Sequence, residues 1–468
     1  MSVRIVRRSL AGAADGLPPD LHPVLRRVYA ARGIRSADQL ALGLERLAPI
    51  SALEGLLPAV DLLLRHFERR SRIVVVGDFD ADGATSTALV VRQLERLGFP
   101  AVGFEVPNRF EFGYGLTPEL VRVIATSSPG LLVTVDNGIS SHAGIEEAAR
   151  FGIEVLVTDH HLPAATLPPA AAIVNPNLPS ARFPSRALAG VGVAFYLMAA
   201  LTRRMQDAAL IRGDAPSVAD LLDLVALGTI ADLVALDQNN RVLVQQGLRR
   251  IRAGRCAPGI RALLEHSGRR LDDIVAADLA FQAGPRLNAA GRLDDMTVGI
   301  RCLLTDDEGA ARVLAGRLAE LNRDRRELEA RMQEEALAAV DVMTASGRPL
   351  PLGLCLFVES WHQGVVGLVA SRLKERLHRP VIALARAADG MLKGSARSVS
   401  GVHIRDVLEA VAVRVPGLIA KFGGHAMAAG LTLHAERLPA FQAAFDAEVR
   451  RWMTPEQASG VLQSDGEL

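Results

Sequence analysis

The sequence predicts an α/β protein in which a domain built on a mainly parallel sheet is joined by one long helix to a smaller α/β domain. Three observations carry this. Short apolar runs alternate with helical stretches between about residues 71 and 175, an unbroken helical stripe runs from Asp306 to Gly347, and a second alternation of strands and helices follows it. Strands that alternate with helices pair in parallel, with helices on both faces of the sheet. A chain of 468 residues is also too long for one ordinary core. The expected divisions are an N-terminal segment at 1–48, the sheet domain at 49–304, the connecting helix at 305–346, the smaller domain at 347–455, and a tail at 456–468.

The first strand is Ile73–Val76, a β-branched run that ends in GDFDADG, with Asp78, Asp80 and Asp82 at alternate positions. Three like charges so close together repel one another unless a cation sits among them. An EF-hand calcium loop is excluded, because its twelfth position is Leu89 here and a strand stands where the entering helix should be. A helix over Ala88–Leu97 follows. The second strand, Leu131–Val135, ends in VDNG with Asp136, and a helix at Gly144–Phe151 leads to the third, Val155–Thr158, which ends in TDHH with Asp159, His160 and His161. Ligands of such sheets sit beyond the carboxyl ends of the strands, where all of these side chains fall.

Further along, Leu188–Leu201 is apolar but contains two glycines and is shorter than the roughly 18 residues a membrane span needs, so it reads as a buried helix. In LLDLVALGTIADLVAL the acid Asp232 interrupts a helical apolar pattern, either as a metal-bound carboxylate or as a cap after Gly228. The stripe of Leu314, Leu318, Leu321, Leu328, Met332 and Val340 predicts the long connecting helix. Beyond it LGLCLFV, VIALA and MLKGSARSV read as strands, Val365–Arg376 and Ile404–Val413 as helices, and FGGHAMAAG as a glycine loop entering a small-residue helix.

Composition narrows the function. A formal net charge of +1 excludes a globally basic nucleic-acid binder, which leaves local clusters such as Arg249, Arg250, Arg252 and Arg255, a group that reads equally well as a solvated helix face. Cys256, Cys302 and Cys355 form no C-x-x-C pair, so no zinc knuckle or disulfide framework is indicated and a reducing cytoplasm fits best. The N-terminus is a poor signal peptide.

Asp78, Asp80, Asp82, Asp136, His160, His161 and Asp232 are carboxylates with imidazoles and no thiolate, a donor set for Mn²⁺ or Mg²⁺. Two ions about 3.5–4 Å apart sharing a carboxylate would use so many ligands, and such a pair hydrolyses phosphoesters. DFDADG alone also reads as a turn or a phosphate loop, and adjacent histidines are usually incidental. The joint placement at three strand ends is what makes the set specific. For substrate, Gly423 and Gly424 before a helix would present N–H groups to a phosphate with His425 as a further donor, and Arg109, Arg286 and Arg397 would clamp phosphates; a tight turn and surface salt bridges are the equal alternatives. Trp361 and His362 stack, cap or belong to the core.

DFDADG, VDNG, TDHH and GTIADLVALD resemble the four motifs of the DHH phosphoesterase superfamily, whose signature is Asp159-His160-His161 here. PNRFEFGYGL (Pro107–Leu116), LAGVGVAFYLM, GPRLNAAGRLDDM (Gly284–Met296), WHQGVVGLVASRLKERLHRPVIA and FGGHAMAAG extend the resemblance, over almost the whole chain, to its bacterial single-stranded-DNA-specific exonucleases. That resemblance implies that Asp80, Asp82, Asp136, His160 and Asp232 hold a metal pair bridged by Asp136, with Asp78 and His161 beside it as further ligands or substrate contacts. It implies 5′-to-3′ degradation of single-stranded DNA to mononucleotides in recombination and repair, with a single-strand-binding protein and a helicase as partners. The smaller domain would be the DHH-associated domain, and the tail the start of an OB-fold domain. Two rivals stand beside this reading: a DHH phosphodiesterase of short oligonucleotides or dinucleotides, and an inactive DNA-binding scaffold, a class that tends to lose ligands all present here.

Overall fold

The computed structural model describes residues 4–8, 16–211, 216–345, 349–388, 390–454 and 458–467. Its contacts divide the chain into two units, Ser36–Arg323 and Met1–Arg35 with Asp324–Leu468. Strand β1 (Arg4–Arg7) and helix α1 (Pro23–Ala31) therefore belong with the C-terminal unit.

In the Ser36–Arg323 unit, helix α2 (Leu56–Glu68) precedes β2 (Ile73–Val76), α3 (Ala81–Arg96), β3 (Val102–Glu105), α4 (Pro118–Ala125), β4 (Leu131–Val135), α5 (His142–Arg150), β5 (Glu154–Thr158) and β6 (Ala172–Val174). The five strands form one sheet in the order β3-β2-β4-β5-β6, every pairing parallel. All residues of β2 and β4 are buried, as a parallel sheet covered on both faces requires. Val74, Val76 and Leu132 pack with Leu120, Ile124 and Ile145 of α4 and α5, while Ile73, Val75, Leu131 and Val133 share the opposite core with α2, α3 and α6 (Gly190–Asp207). The chain leaves β2 for β3 on one side and returns to β4 on the other, so strand order reverses between β2 and β4. In a doubly wound sheet the ligand crevice opens at that reversal. The sequence reading anticipated the parallel sheet but not the short strands β3 and β6, whose three or four residues give too little periodicity to detect.

The rest of this unit is helical: α7 (Leu222–Ala231), α8 (Gln238–Arg252), α9 (Pro258–Glu265), and α10 (Ala276–Asp278), which passes through a π turn (Leu279–Ala283) into α11 (Gly284–Leu293), then α12 (Thr297–Leu304). Helix α7 is buried all round and stops at Ala231, so Asp232 is its C-cap, one of the two readings the sequence offered. Leu233 then turns the chain at φ 61°.

Helix α13 (Glu308–Ala345) is the predicted connector, 38 residues and about 57 Å long at 1.5 Å per residue. Its expected end at 346–347 lies outside the described residues, as does part of the N-terminal segment. In the second unit β7 (Leu354–Phe357), α14 (Val366–Leu377), β8 (Val381–Arg386), β9 (Met391–Arg397), α15 (Ile404–Arg414), β10 (Lys421–Gly424), β11 (Ala428–His434) and α16 (Leu438–Trp452) form a five-stranded sheet, β10-β11-β9-β8-β7, with helices. β7 and β8 pair in parallel and the rest antiparallel. β12 (Val461–Ser464) pairs with β1. FGGHAMAAG is here a hairpin, correcting the expected loop and helix: Gly423 faces Gly430 and Gly424 faces Ala429. A Cβ on Gly424 would meet the Ala428 carbonyl oxygen at 2.4 Å, and pairing of β11 along all of β9 overrides the helix propensity of the alanines.

Among the described residues no single helix is long and apolar enough to cross a membrane.

Candidate metal centre

Each acid at a strand end is held by backbone geometry. Asp78 follows the buried end of β2 and its Oδ1 accepts from the Phe79 N–H at 2.7 Å. Asp80 is the N-cap of α3, accepting from Gly83 N at 3.0 Å. Asp82, 1% exposed in the first turn, accepts from the Gly190 and Val191 amides at 2.6 and 2.9 Å, the free N-terminal donors of α6. Asp136 follows β4 at φ 62°, a left-handed conformation uncommon for a residue with a side chain. Asn137, buried beside it, donates to Val76 O and Val135 O and so ties the ends of β2 and β4 together.

The histidine pair is held from below. Asp159, 1% exposed, accepts on one oxygen from His160 N, His161 N and His161 Nδ1, and on the other from Ile139 N. Asn175 and Asn177 donate to the carbonyls of His161 and His160. His160 Nε2 thereby reaches to 3.0 Å from Asp136 Oδ1 and 3.6 Å from Asp232 Oδ2.

Donor atoms of Asp136, His160 and His161, of Asp82, His160 and Asp232, and of Asp78, Asp80 and Asp136 each lie within 4.8 Å of one another. The seven residues predicted as a metal set are thus brought together, and the three groups overlap through Asp136 and His160. Burial, with the Asp80 charge next, pushes Asp82 up to about 7 and Asp78 well above the usual carboxylate range. Burial with the Asp82 and Asp80 charges does the same to Asp136 and lifts Asp232 to about 9. Burial lowers His160 to about 4, so its imidazole is neutral. Burial acts to lower His161, but the Asp159 hydrogen bond and charge, together with the Asp78 and Asp232 charges, outweigh it and raise the imidazole to about 9, a cation at neutral pH.

A divalent ion fits this donor set. Asp136 Oδ1 and His160 Nε2 are buried, 3.0 Å apart, and without a hydrogen-bond partner, because their contact lacks hydrogen-bond geometry. A carboxylate oxygen facing a bare imidazole nitrogen is repulsive unless a cation lies between them. The hard and borderline donors suit Mg²⁺ and Mn²⁺.

Arg109 lies beside the cluster, its guanidinium 4.5 Å over the Phe79 ring and near enough to feel Asp78 and Asp80. Tyr114 adds a hydroxyl 3.4 Å from Asp136 O and 3.5 Å from His161 Nδ1. Arg286 lies on α11 with Nη1 on the carbonyl of Gln282, in the π turn before that helix, at 2.5 Å. Arg397 ends β9 with Nη1 on Ala396 O, and Gly423, Gly424 and His425 sit on or beside the exposed hairpin of the second unit; with no helix following, the glycines present no helix N-terminus. Trp361 is buried with Nε1 on Glu335 at 3.0 Å, a core role. Arg250 pairs with Asp220 and Arg252 with the Ile274 carbonyl, so the arginine cluster is in part structural. Sequence reasoning missed Asn137, Asn175, Asn177 and Tyr114; the asparagines at least follow strand ends, where a polar side chain is a usable signal.

The pattern of the DHH family, N-terminal domain, matches residues 72–229, and that of the DHHA1 domain matches residues 353–451. The single-stranded-DNA-specific exonuclease RecJ of Dickeya dadantii is 55% identical over 471 residues, covering 100% of this chain and 82% of its own. RecJ of Thermus thermophilus, solved in complex with Mn²⁺, superposes with a TM-score of 0.80 at 33% identity, over 98% of this chain and 64% of the Thermus chain. The Mg²⁺ complex of the same protein gives 0.76 at 30% identity, over 99% and 62%.

Proposed function

We propose, for a chain that belongs to the RecJ family of single-stranded-DNA-specific exonucleases, a metal-dependent hydrolysis of single-stranded DNA from its 5′ end to mononucleotides, in recombination and repair. The observation that carries it is the gathering of seven donors from three strand ends and the end of α7 into overlapping groups. Asp80, Asp82, Asp136, His160 and Asp232 would hold two ions, Mn²⁺ or Mg²⁺, with Asp136 shared between them and Asp78 at the edge. The ions, when bound, supply a water of lowered pKa and neutralise charge at the attacked phosphate. The chain's own residues do the rest. Neutral His160 offers a lone pair without a proton to displace. His161, kept cationic by Asp159, faces the cluster as a charge for the phosphate oxygens. Arg109, fixed over Phe79, is placed to orient a phosphate.

In balance, water oxygen bonds to phosphorus and the P–O3′ bond breaks. The released mononucleotide takes a proton on O3′, and the shortened strand keeps its 5′ phosphate. Arg286, Arg397, Gly423, Gly424 and His425 are further candidates for substrate contacts. A reducing cytoplasm is the proposed location, in keeping with three free cysteines, and a single-strand-binding protein and a helicase are the proposed partners.

A time course on long single-stranded DNA labelled at the 3′ end, with Mn²⁺, Mg²⁺ or EDTA and with an open or blocked 5′ end, tests this. Progressive shortening that requires metal and an open 5′ end is expected. Intact DNA beside metal-dependent hydrolysis of a dinucleotide would move the chain to small substrates.

A further inference from the structure

We infer that α11 spaces the metal-holding segments from one another, and that Asn288 is its positioning residue; the inference rests on the two-ion reading above. Gly284, Asn288 and Gly291 recur at i, i+4 and i+7 and so share one face of the helix. Each meets a different part of the centre. A Cβ on Gly284 would lie 3.1 Å from the Cβ of Ala231, the residue before Asp232. Asn288 Oδ1 accepts from the Ala81 N–H at 2.7 Å, between Asp80 and Asp82. A Cβ on Gly291 would fall 1.7 Å from the Phe79 carbonyl oxygen, between Asp78 and Asp80. One helix face therefore bears on both the Asp78–Asp82 loop and the Asp232 end of α7.

The chemistry of the contacts suits a brace. Ala81 N is a first-turn amide of α3, with no acceptor inside its own helix. Asp80 satisfies Gly83 N and Asn288 satisfies Ala81 N, so the ligand loop is pinned by a residue from a distant segment. Gly291 allows a backbone approach that no side chain would permit, and Gly284 keeps a close approach that a Cβ would crowd. The π turn at Leu279–Ala283 shifts the helical phase immediately before α11, and π turns of this kind concentrate at functional sites. Arg286, the residue of this motif that draws attention in sequence, is two positions from Gly284 and lies off the bracing face. Asn288 acts through the loop it holds.

Titration of Mn²⁺ into the metal-free wild type, Asn288→Leu and Asn288→Asp, followed by the EPR signal of free Mn²⁺, tests this, together with melting temperatures and kinetics on an oligothymidylate. Asn288→Leu, similar in size but without an acceptor, should bind Mn²⁺ about 10–100-fold more weakly. Its kcat should fall and recover as Mn²⁺ is raised, with KM for DNA unchanged. Asn288→Asp keeps an acceptor and should bind Mn²⁺ within a few-fold of wild type. Wild-type Mn²⁺ affinity in Asn288→Leu, or a raised KM with intact kcat, would overturn the inference and make Asn288 inert or a substrate contact. Failure of the wild type itself to bind Mn²⁺ would overturn the two-ion reading, a result distinct from either. Should Asn288→Leu not fold, Asn288→Ser, whose oxygen falls short of Ala81 N, carries the same outcomes.

Discussion

Asp136 combines a left-handed backbone with a buried carboxylate among four others, and the two properties can be separated by substitution. Asparagine tolerates the same backbone and volume but carries no charge. Asp136→Asn should therefore lower cleavage by about 10²–10³-fold or more. In the metal-free protein it should raise the melting temperature, because it removes a carboxyl that burial and the neighbouring Asp82, Asp80, Asp78 and Asp232 make costly to ionise. Turnover unchanged from wild type would sink the two-ion reading. Asp159 is not itself one of the clustered donors and acts through His161, whose Nδ1 it holds. Burial lowers the imidazole most, and without the Asp159 hydrogen bond and charge it loses the largest of the interactions that together outweigh burial. Asp159→Asn should move the alkaline limb of the pH–rate profile downward from near 9, so that at pH 8 activity falls further than at pH 6.5. A limb that stays in place would remove His161 from its proposed role.

At the scale of elements, the centre depends on how closely α6 approaches β4. Its first amides hold Asp82, and its first residue leaves no room for a side chain: a Cβ on Gly190 would lie 2.6 Å from the Cβ of Asp136. Gly190→Ala favours the helix intrinsically, yet it must push α6 away from Asp136. The expected result is a loss of about 1–3 kcal/mol in denaturant unfolding together with weaker Mn²⁺ binding, because Asp82 and Asp136 can no longer keep their separation. A stabilised variant with unaltered Mn²⁺ affinity would show that the approach is looser than the geometry indicates. Where strands are only three or four residues long, as in β3 and β6, or where alanine and glycine dominate, as in β10 and β11, side-chain pattern cannot announce the element. The hairpin appears only because β9 offers it a partner.

For the molecule as a whole, the buried cluster of acids and histidines governs how stability depends on pH. Asp82 and Asp232 keep protons in the fold, to about 7 and about 9, that the unfolded chain gives up near its ordinary carboxylate range. His161 likewise holds its proton to about 9. The native state then binds more protons than the unfolded state, so stability falls as pH rises. His160, lowered to about 4, works in the opposite sense only between about 4 and its ordinary value of 6.5. From pH 6.5 to 9 the metal-free Ser36–Arg323 unit should lose melting temperature steadily. Mn²⁺ competes with those protons, so its stabilisation should be larger at pH 8.5 than at pH 6.5. Calorimetry with and without Mn²⁺ at the two pH values checks this; an equal or smaller gain at high pH would count against carboxylates as the ligands.

Buried strands, a helical stripe and clustered acids are local patterns that physical chemistry explains in few ways, so the parallel α/β architecture, the connecting helix and the seven donor residues were all legible before any fold was known. How those residues meet was not. Asp232, which the sequence left as either a metal-bound carboxylate or a cap, is the cap at the end of α7 and faces His160. The supports Asn137, Asn175, Asn177 and Asn288 were not legible, since an asparagine's partner is a backbone group whose place is set by chain crossings tens to hundreds of residues away. Glycines such as Gly190 and Gly291 look like turn formers in sequence, and only packing shows them to be points of contact between backbones. Local pattern selects the groups that do chemistry, whereas their spacing comes from the long-range approach of segments, which sequence periodicity does not encode.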